Sequence, residues 1–227
     1  MEKIRVELAK KSDEVILNRI LKENEMKGRI SIAFQRNPSY INSLRVEGNQ
    51  NQVIVGRNDK GKIIGFGTRS IKSLYINGKI NNMGYLSNLR VVRNYRSEGY
   101  LSLGYNYLKK LHQDKQAPIY YSTIVEDNKF AIKILTNKKP YLPYYHDIGR
   151  YCTVAVSLFG TKKRHKNKFK IVKGSHQNIS DIVKFLNKNG SKKQFCRPYQ
   201  QFLRNSSVTR RKSLSLIAMR FSPKTRW

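Results

Sequence analysis

Apolar and charged residues alternate from Ile4 through Val6 to Leu8, the period-two signature of a half-buried strand. The period then lengthens. Ser12 offers an N-cap, Asp13 and Glu14 fill a first turn, and Val15, Ile16, Ile20 and Leu21 recur at helical spacing. Residues 22–51 are irregular and polar, broken by Gly28, Pro38 and Gly48, with Ile30, Ile32 and Phe34 marking a short buried piece. A hairpin follows: residues 53–56 form a strand, residues 58–61 (Asn-Asp-Lys-Gly) supply the turn and residues 63–67 return. A strand over 71–76 turns through Asn77-Gly78 into an extended segment over 83–92. From Gly99 the period is helical, with Leu101, Tyr105, Leu108 and Leu111 on one face. Residues 119–125 read as a buried strand, and residues 128–135 as a helix with Ala131, Ile134 and Leu135 inward, stopped by Pro140. Two last strands are expected around Tyr144 and over 151–158. Residues 1–160 therefore predict a mixed α/β layout in which helices follow central strands.

Composition supports a folded domain. The 227 residues are 39% hydrophobic and 11% aromatic, enough to build a core. The chain has no run of about 18 apolar residues, so no membrane span is expected. The N-terminus alternates charge with apolar residues and has no signal-peptide hydrophobic segment, and two cysteines, Cys152 and Cys196, make no disulfide scaffold. A reducing, cytoplasmic setting is the expectation. Oligomeric state has no signature here.

The formal net charge is +32, which invites a nucleic-acid reading. Its distribution weakens that reading. Residues 1–160 hold 27 basic and 13 acidic side chains, whereas residues 161–227 hold 19 basic residues and one acid, Asp181. The first part is a moderately basic globular domain, rich in Lys, Asn, Ile and Tyr, and the bias there is compositional. No helix-turn-helix pattern, zinc-finger spacing or RNP-like motif accompanies it.

The chemistry concentrates in residues 89–101, Leu-Arg-Val-Val-Arg-Asn-Tyr-Arg-Ser-Glu-Gly-Tyr-Leu, which run from a strand through a turn into a helix. Unpaired backbone N–H groups and the helix dipole make such a turn an anion site suited to a pyrophosphate, and Gly99 lets the backbone approach closely. The alternative is a plain strand–turn–helix crossover. No P-loop or dinucleotide-binding glycine pattern is present. The run Arg96-x-x-Gly99-x-Leu101 resembles the acyl-CoA signature of the GNAT superfamily of N-acyltransferases, usually written Gln/Arg-x-x-Gly-x-Gly/Ala, with Leu101 in place of the last small residue. Residues 126–135 look like that family's Asn-x-x-Ala-x-x-x-Tyr helix start, with Asn128 and Ala131 in place and Leu135 where Tyr is common. The resemblance covers about residues 3–160. It implies a three-layer α/β fold with a central mixed, mostly antiparallel sheet flanked by helices, and transfer of an acetyl group from acetyl-CoA, as co-substrate and without a metal, to a small-molecule or peptide amine. By the same resemblance, Leu89, Arg90 and Val91 bond the pantetheine arm through their backbone, with the Val91 N–H polarising the thioester carbonyl. Arg96, Ser97, Glu98, Gly99, Tyr100 and Leu101 cradle the pyrophosphate, and Asn128 touches the cofactor.

Transfer requires a base for the amine and an acid for the leaving thiolate. Tyr141, with Tyr144 and Tyr145 beyond it, is the expected acid in place of Leu135, and Glu126, at a strand end, the expected base through water. Each has a bland counterpart, a half-buried packing tyrosine and a solvated carboxylate. His112 and His146 have no partner at metal-ligand or triad spacing and read as surface or packing groups. Residues 161–168 form a basic linker. Residues 169–186 echo residues 4–21, so residues 169–201 are expected to begin an incomplete second unit of the same type, with a lone strand and helix docked on the first domain as the even alternative. In residues 202–227 the Lys preference inverts to 5 Arg against 2 Lys. That tail reads as disordered and basic, either a frameshifted end or a contact for nucleic acid or anionic lipid. The alternative function for the whole is a basic nucleic-acid or anion-binding module on a GNAT-like fold that has lost catalysis.

Overall fold

The computed structural model describes residues 2–24, 36–96, 98–150, 172 and 174–199. Four strands form an antiparallel meander: β1 (Arg5–Leu8), β2 (Gln50–Arg57), β3 (Ile63–Ile76) and β4 (Lys79–Val91). A fifth, β5 (Tyr120–Tyr121), lies beside β4 and runs parallel to it. The turns are those the sequence demands. Asn58 accepts the Gly61 N–H and closes on Lys62, with Gly61 at φ 74. Asn77 and Gly78 both take positive φ, 49 and 77, which a two-residue hairpin needs to match the right-handed strand twist.

Strand alternation divides the side chains between two faces. On one face, Val53, Val55, Ile63 and Phe66 pack against Leu17, Ile20 and Leu21 of α1 (Glu14–Glu23), and against Tyr40 and Leu44. Tyr40 opens the short helix α2 (Tyr40–Ser43), which Ser39 caps by accepting the Asn42 N–H. Burying each of these side chains contributes about 2 kcal/mol. On the other face lie α3 (Glu98–His112) and α4 (Lys129–Thr136). The result is a three-layer α/β fold, a mixed and mostly antiparallel sheet flanked by helices, as the GNAT resemblance implies.

Contacts group Met1–Tyr145 with Leu186–Pro198 in one compact unit. Within it, β2 stops at Gln50 opposite Ile71, leaving the far edge of β3 open. Cys196 takes that edge: the Tyr75 N–H donates to the Cys196 carbonyl at 2.8 Å and the Phe195 N–H to Tyr75 at 2.9 Å. A second unit comprises His146–Phe185 and Tyr199–Trp227. Helix α5 (Ile179–Gly190) starts in it with Asp181 in its first turn.

Several expectations need correcting. Helix α1 begins at Glu14, because Asp13, not Ser12, closes the preceding 3-10 turn by accepting the Lys10 N–H at 2.7 Å. Val15 points outward at 78% exposure and Leu17 takes the inward place. The two strands expected over 63–67 and 71–76 are one strand, β3. The strand expected over 119–125 is paired only at Tyr120 and Tyr121, and residues around Tyr144 form no strand. The strand expected over 151–158, the piece at Ile30–Phe34, the basic linker 161–168 and the tail 202–227 lie outside the described residues.

Charge ties the N-terminal turn to the sheet. Arg57 donates to Glu7 at 2.7 Å and to Asp13 at 2.6 Å. Burial works to raise the Asp13 carboxyl, but the Arg57 guanidinium and the Lys10 N–H outweigh it and hold it below its usual range; Glu7 is lowered chiefly by the same arginine. Because both folded-state pKa values are depressed, the stabilisation is present above the ordinary carboxylate range and lost as pH falls through it. Arg57→Met should therefore destabilise the domain by about 2 kcal/mol at neutral pH, and the gap between urea titrations of the two proteins should start to narrow only below about pH 4, closing as pH falls through the lowered folded-state values.

Candidate active site

The site starts from a slip in register. β3 and β4 stay aligned from Ile76↔Lys79 to Thr68↔Ser87, but the next pair is Phe66↔Arg90. Gly67 alone thus stands opposite Asn88 and Leu89, so β4 carries one extra residue, a β-bulge. Asn88 adopts the left-handed conformation at φ 57, which asparagine tolerates better than other residues with a side chain. The bulge reverses which residues face which edge. Before it, the Gly84 N–H donates toward β5, to the Ile119 carbonyl at 2.9 Å. After it, the Val92 N–H donates toward β3, to Ile64 at 2.8 Å. By alternation, Arg90 is also bonded to β3, whereas Leu89 and Val91 turn their N–H and C=O groups to the opposite edge.

That edge is open. β5 pairs with β4 only at Gly84↔Tyr120 and Tyr85↔Tyr121. Gly84 allows this junction, since a Cβ there would lie 2.1 Å from the Tyr120 ring. Past it a cavity of about 210 Å³ opens between residues 86–91 of β4 and residues 122–125. Tyr100, Leu101, Gly104, Tyr105 and Leu108 of α3 and Asn128, Ala131 and Leu135 of the α4 region complete its walls, with Val6, Ile54 and Ile64 beneath. Its walls are mostly apolar, with the backbone edge of β4 as the polar strip. Arg69, 1% exposed, holds the frame together: its guanidinium makes two 2.8 Å bonds to Asp114, just after α3, and one of 3.0 Å to the Tyr120 hydroxyl.

The cavity brings together Leu89, Arg90, Val91, Tyr100, Leu101 and Asn128 of the residues expected from sequence. Asn128 is also the N-cap of α4, its Oδ1 accepting the Ala131 N–H at 3.1 Å, so Asn-x-x-Ala has a capping explanation of its own. Gly99 lies in the first turn of α3, and Ser102 Oγ donates to its carbonyl. Arg96 is outside the cavity lining; its Nε donates to the Val91 carbonyl and its Nη2 to Asn24 Oδ1, both at 3.0 Å. It fastens the turn to the end of β4 and to α1. Ser97 is outside the described residues, and Glu98 begins α3. Glu126 is exposed and Tyr141 half-buried, and neither lines the cavity.

Two groupings were not visible in the sequence. Tyr105 reads there as one more core position of α3, yet its hydroxyl lies 2.8 Å from that of Tyr145 at the cavity wall. Burial, with Tyr145 adding to it, pushes the Tyr105 phenol well above its usual range, so it stays protonated. On the other face of β4, Glu47 is buried beside the bulge, accepting from Arg36, from Ser87 Oγ at 2.6 Å and from Asn88. Tyr40 lies on the same face, bonded to Thr68 at 2.9 Å and pushed up to about 12 by burial. The sequence signal for this network is that Arg36, Tyr40 and Glu47 lie in the irregular stretch before β2. Among the described residues no group of three His, Cys, Asp or Glu side chains could hold a metal, and no helix is long and apolar enough to cross a membrane. His112 Nδ1 lies 3.2 Å from the Tyr120 hydroxyl.

No protein-family model and no curated protein matches the chain. Solved structures with a similar course of the chain include an aminoglycoside acetyltransferase from an uncultured soil metagenomic sample, with 18% identity over 67% of this chain and 97% of that one and a TM-score of 0.48. An acetyltransferase of Trypanosoma brucei shows 14% identity over 64% of this chain and 100% of that one, at 0.44. A glucosamine-6-phosphate N-acetyltransferase from Arabidopsis thaliana shows 15% identity with the same coverages, also at 0.44.

If the left-handed Asn88 sets the bulge, Asn88→Gly should keep the fold, losing only side-chain bonds. Asn88→Val should cost about 1–2 kcal/mol more than the glycine variant, measured by urea denaturation of the pair.

Proposed function

We propose that the chain is an N-acetyltransferase that moves the acetyl group of acetyl-CoA to an amine. The observation that carries this reading is the parted pair of parallel strands, with the Leu89 and Val91 N–H groups turned into the gap and their carbonyls held by Arg90 and Arg96. An extended arm carrying amides, such as pantetheine, would use those groups as a sheet uses a new strand. The apolar walls suit its methylene and thioester parts. The first turn of α3, residues 98–101, would offer its unpaired N–H groups to the pyrophosphate.

The thioester supplies an activated acetyl group; the chain supplies positions and protons. The Val91 N–H would stabilise the negative charge that develops on the carbonyl oxygen as the amine nitrogen bonds to the acetyl carbon. As the carbon–sulfur bond breaks, the protonated Tyr105 hydroxyl would donate to the leaving thiolate, with Tyr145 behind it. We favour this pair over Tyr141, since Tyr105 lines the cavity. Glu126 remains the proposed acceptor, through water, of the proton the amine releases.

Calorimetry with acetyl-CoA tests the reading directly. Gly104 faces the cavity, and a Cβ there would meet nothing within 4 Å. Gly104→Leu should therefore leave the fold intact, adding up to about 1 kcal/mol of helix propensity, while the longer side chain fills the gap and abolishes acetyl-CoA binding. Gly99→Asp should abolish it too, by setting a carboxylate against the pyrophosphate. Absence of acetyl-CoA binding, together with tight, steeply salt-dependent binding of a duplex oligonucleotide, would replace this reading with the non-catalytic basic module.

Once an acceptor is found by thiol release, Tyr105→Phe should lower kcat about 100-fold with acetyl-CoA affinity retained. Tyr141→Phe is the comparison, and the larger loss there would return the acid to Tyr141.

A further inference from the structure

Among the described residues, the α1 face of β4 carries positive charge without an opposing carboxylate. Arg90 pairs with Phe66, so its side chain lies on the face that holds Tyr40 and α1, opposite α3. Among the described residues its single hydrogen bond is from Nη1 to the carbonyl of its own neighbour, Leu89, at 2.9 Å. Its Nε is buried with no partner. Arg96 is close enough to bear on it electrostatically, and among the described residues bonds the neutral oxygens of Val91 and Asn24.

Among the described residues the ion pairs engage Arg5, Arg36, Arg57 and Arg69. Arg90 and Arg96 have none. Glu47, the buried carboxylate of this face, is already held by Arg36, Ser87 and Asn88. Burial pushes the Arg90 guanidinium down from its usual range; Tyr40 partly offsets this and Arg96 adds to it. An arginine nevertheless keeps its proton, so Arg90 is a half-buried cation on the α1 face of β4 with no counter-charge among the described residues. Such a charge is costly unless a counter-charge arrives, and a guanidinium fork matches a carboxylate or phosphate.

We infer that Arg90, seconded by Arg96, binds a carboxylate or phosphate group of the acceptor, so that the amine substrate is anionic or zwitterionic at its far end. This deepens the proposed function and rests on it for the word acceptor, but the anion site itself does not. The backbone of Arg90 faces β3, and its side chain lies across the sheet from α3, whose N-terminus would take the phosphates of the cofactor. The Arg90 guanidinium and the N-terminus of α3 thus lie on opposite faces of β4.

The binding half is tested without catalysis. In protein labelled with 15N-arginine, the Arg90 Nε–H resonance, assigned by its loss in Arg90→Gln, is followed while sodium acetate or inorganic phosphate is added at constant ionic strength. A saturable shift with at least one of the two, and loss of that anion's binding in Arg90→Gln, is expected. A response that never saturates, or equal binding by the variant, overturns the site whether or not acetyl-CoA binds.

The substrate half uses three amines of similar size: 3-aminopropanoate, 2-aminoethyl phosphate and propylamine. Either the carboxylate or the phosphate compound should exceed propylamine in kcat/KM by at least about tenfold, which also tells the two anions apart. Arg90→Gln should erase that preference. Equal rates for all three, or loss of acetyl-CoA binding in Arg90→Gln, would overturn the assignment, the latter by giving Arg90 to the cofactor. If acetyl-CoA fails to bind the wild-type protein, the transferase reading falls while the titration still decides the anion site.

Discussion

One extra residue in β4 organises this molecule. In a regular strand, N–H and C=O groups alternate between the two edges, so a strand paired on both sides has no backbone to spare. The bulge at Asn88 and Leu89 breaks that bookkeeping. Before it β4 bonds β5 through Gly84; after it the N–H groups of Leu89 and Val91 turn to an edge that no strand among the described residues covers. The gap between β4 and residues 122–125 is the consequence, and so is the separation of its surroundings into an α3 side and an α1 side.

The rest of the fold holds that gap open from outside. The α1 face of the sheet carries the dense apolar core, in which Leu17, Val55 and Tyr40 are fully buried. The α3 face is packed less completely, because its centre is the cavity. A buried Arg69 compensates by tying Asp114 and Tyr120 to β3. Around the bulge itself, Glu47, Arg36, Ser87 and Tyr40 form a polar cluster on the face where a second substrate would meet the end of β4. Buried networks of this kind stabilise little on balance but fix one arrangement of the groups they join.

Local signals were legible wherever the chemistry was local. Asn77-Gly78 demands a two-residue turn, Asn128 caps the helix three residues ahead of Ala131, and the face Leu101, Tyr105, Leu108 is the inner face of α3. Signals failed where a partner is distant in sequence. Residues 119–125 have the composition of a full strand, yet pair at only two positions because β4 has turned away from them. Val15 and Leu17 are equally apolar, and only the direction of the sheet decides which is buried. Tyr105 looks like core until Tyr145, 40 residues on, puts a hydroxyl beside it.

The sequence by itself determined the first strand and helix, the hairpin turns and the helices that follow β4 and β5, since propensity, period and capping act within a few residues. Tertiary structure decided the rest. It set Arg96 as a clasp on Val91 and Asn24, placed Glu126 and Tyr141 away from the cavity lining, and left Arg90 without a counter-charge among the described residues. Those outcomes depend on which groups are left without partners after packing, and no local pattern encodes that remainder.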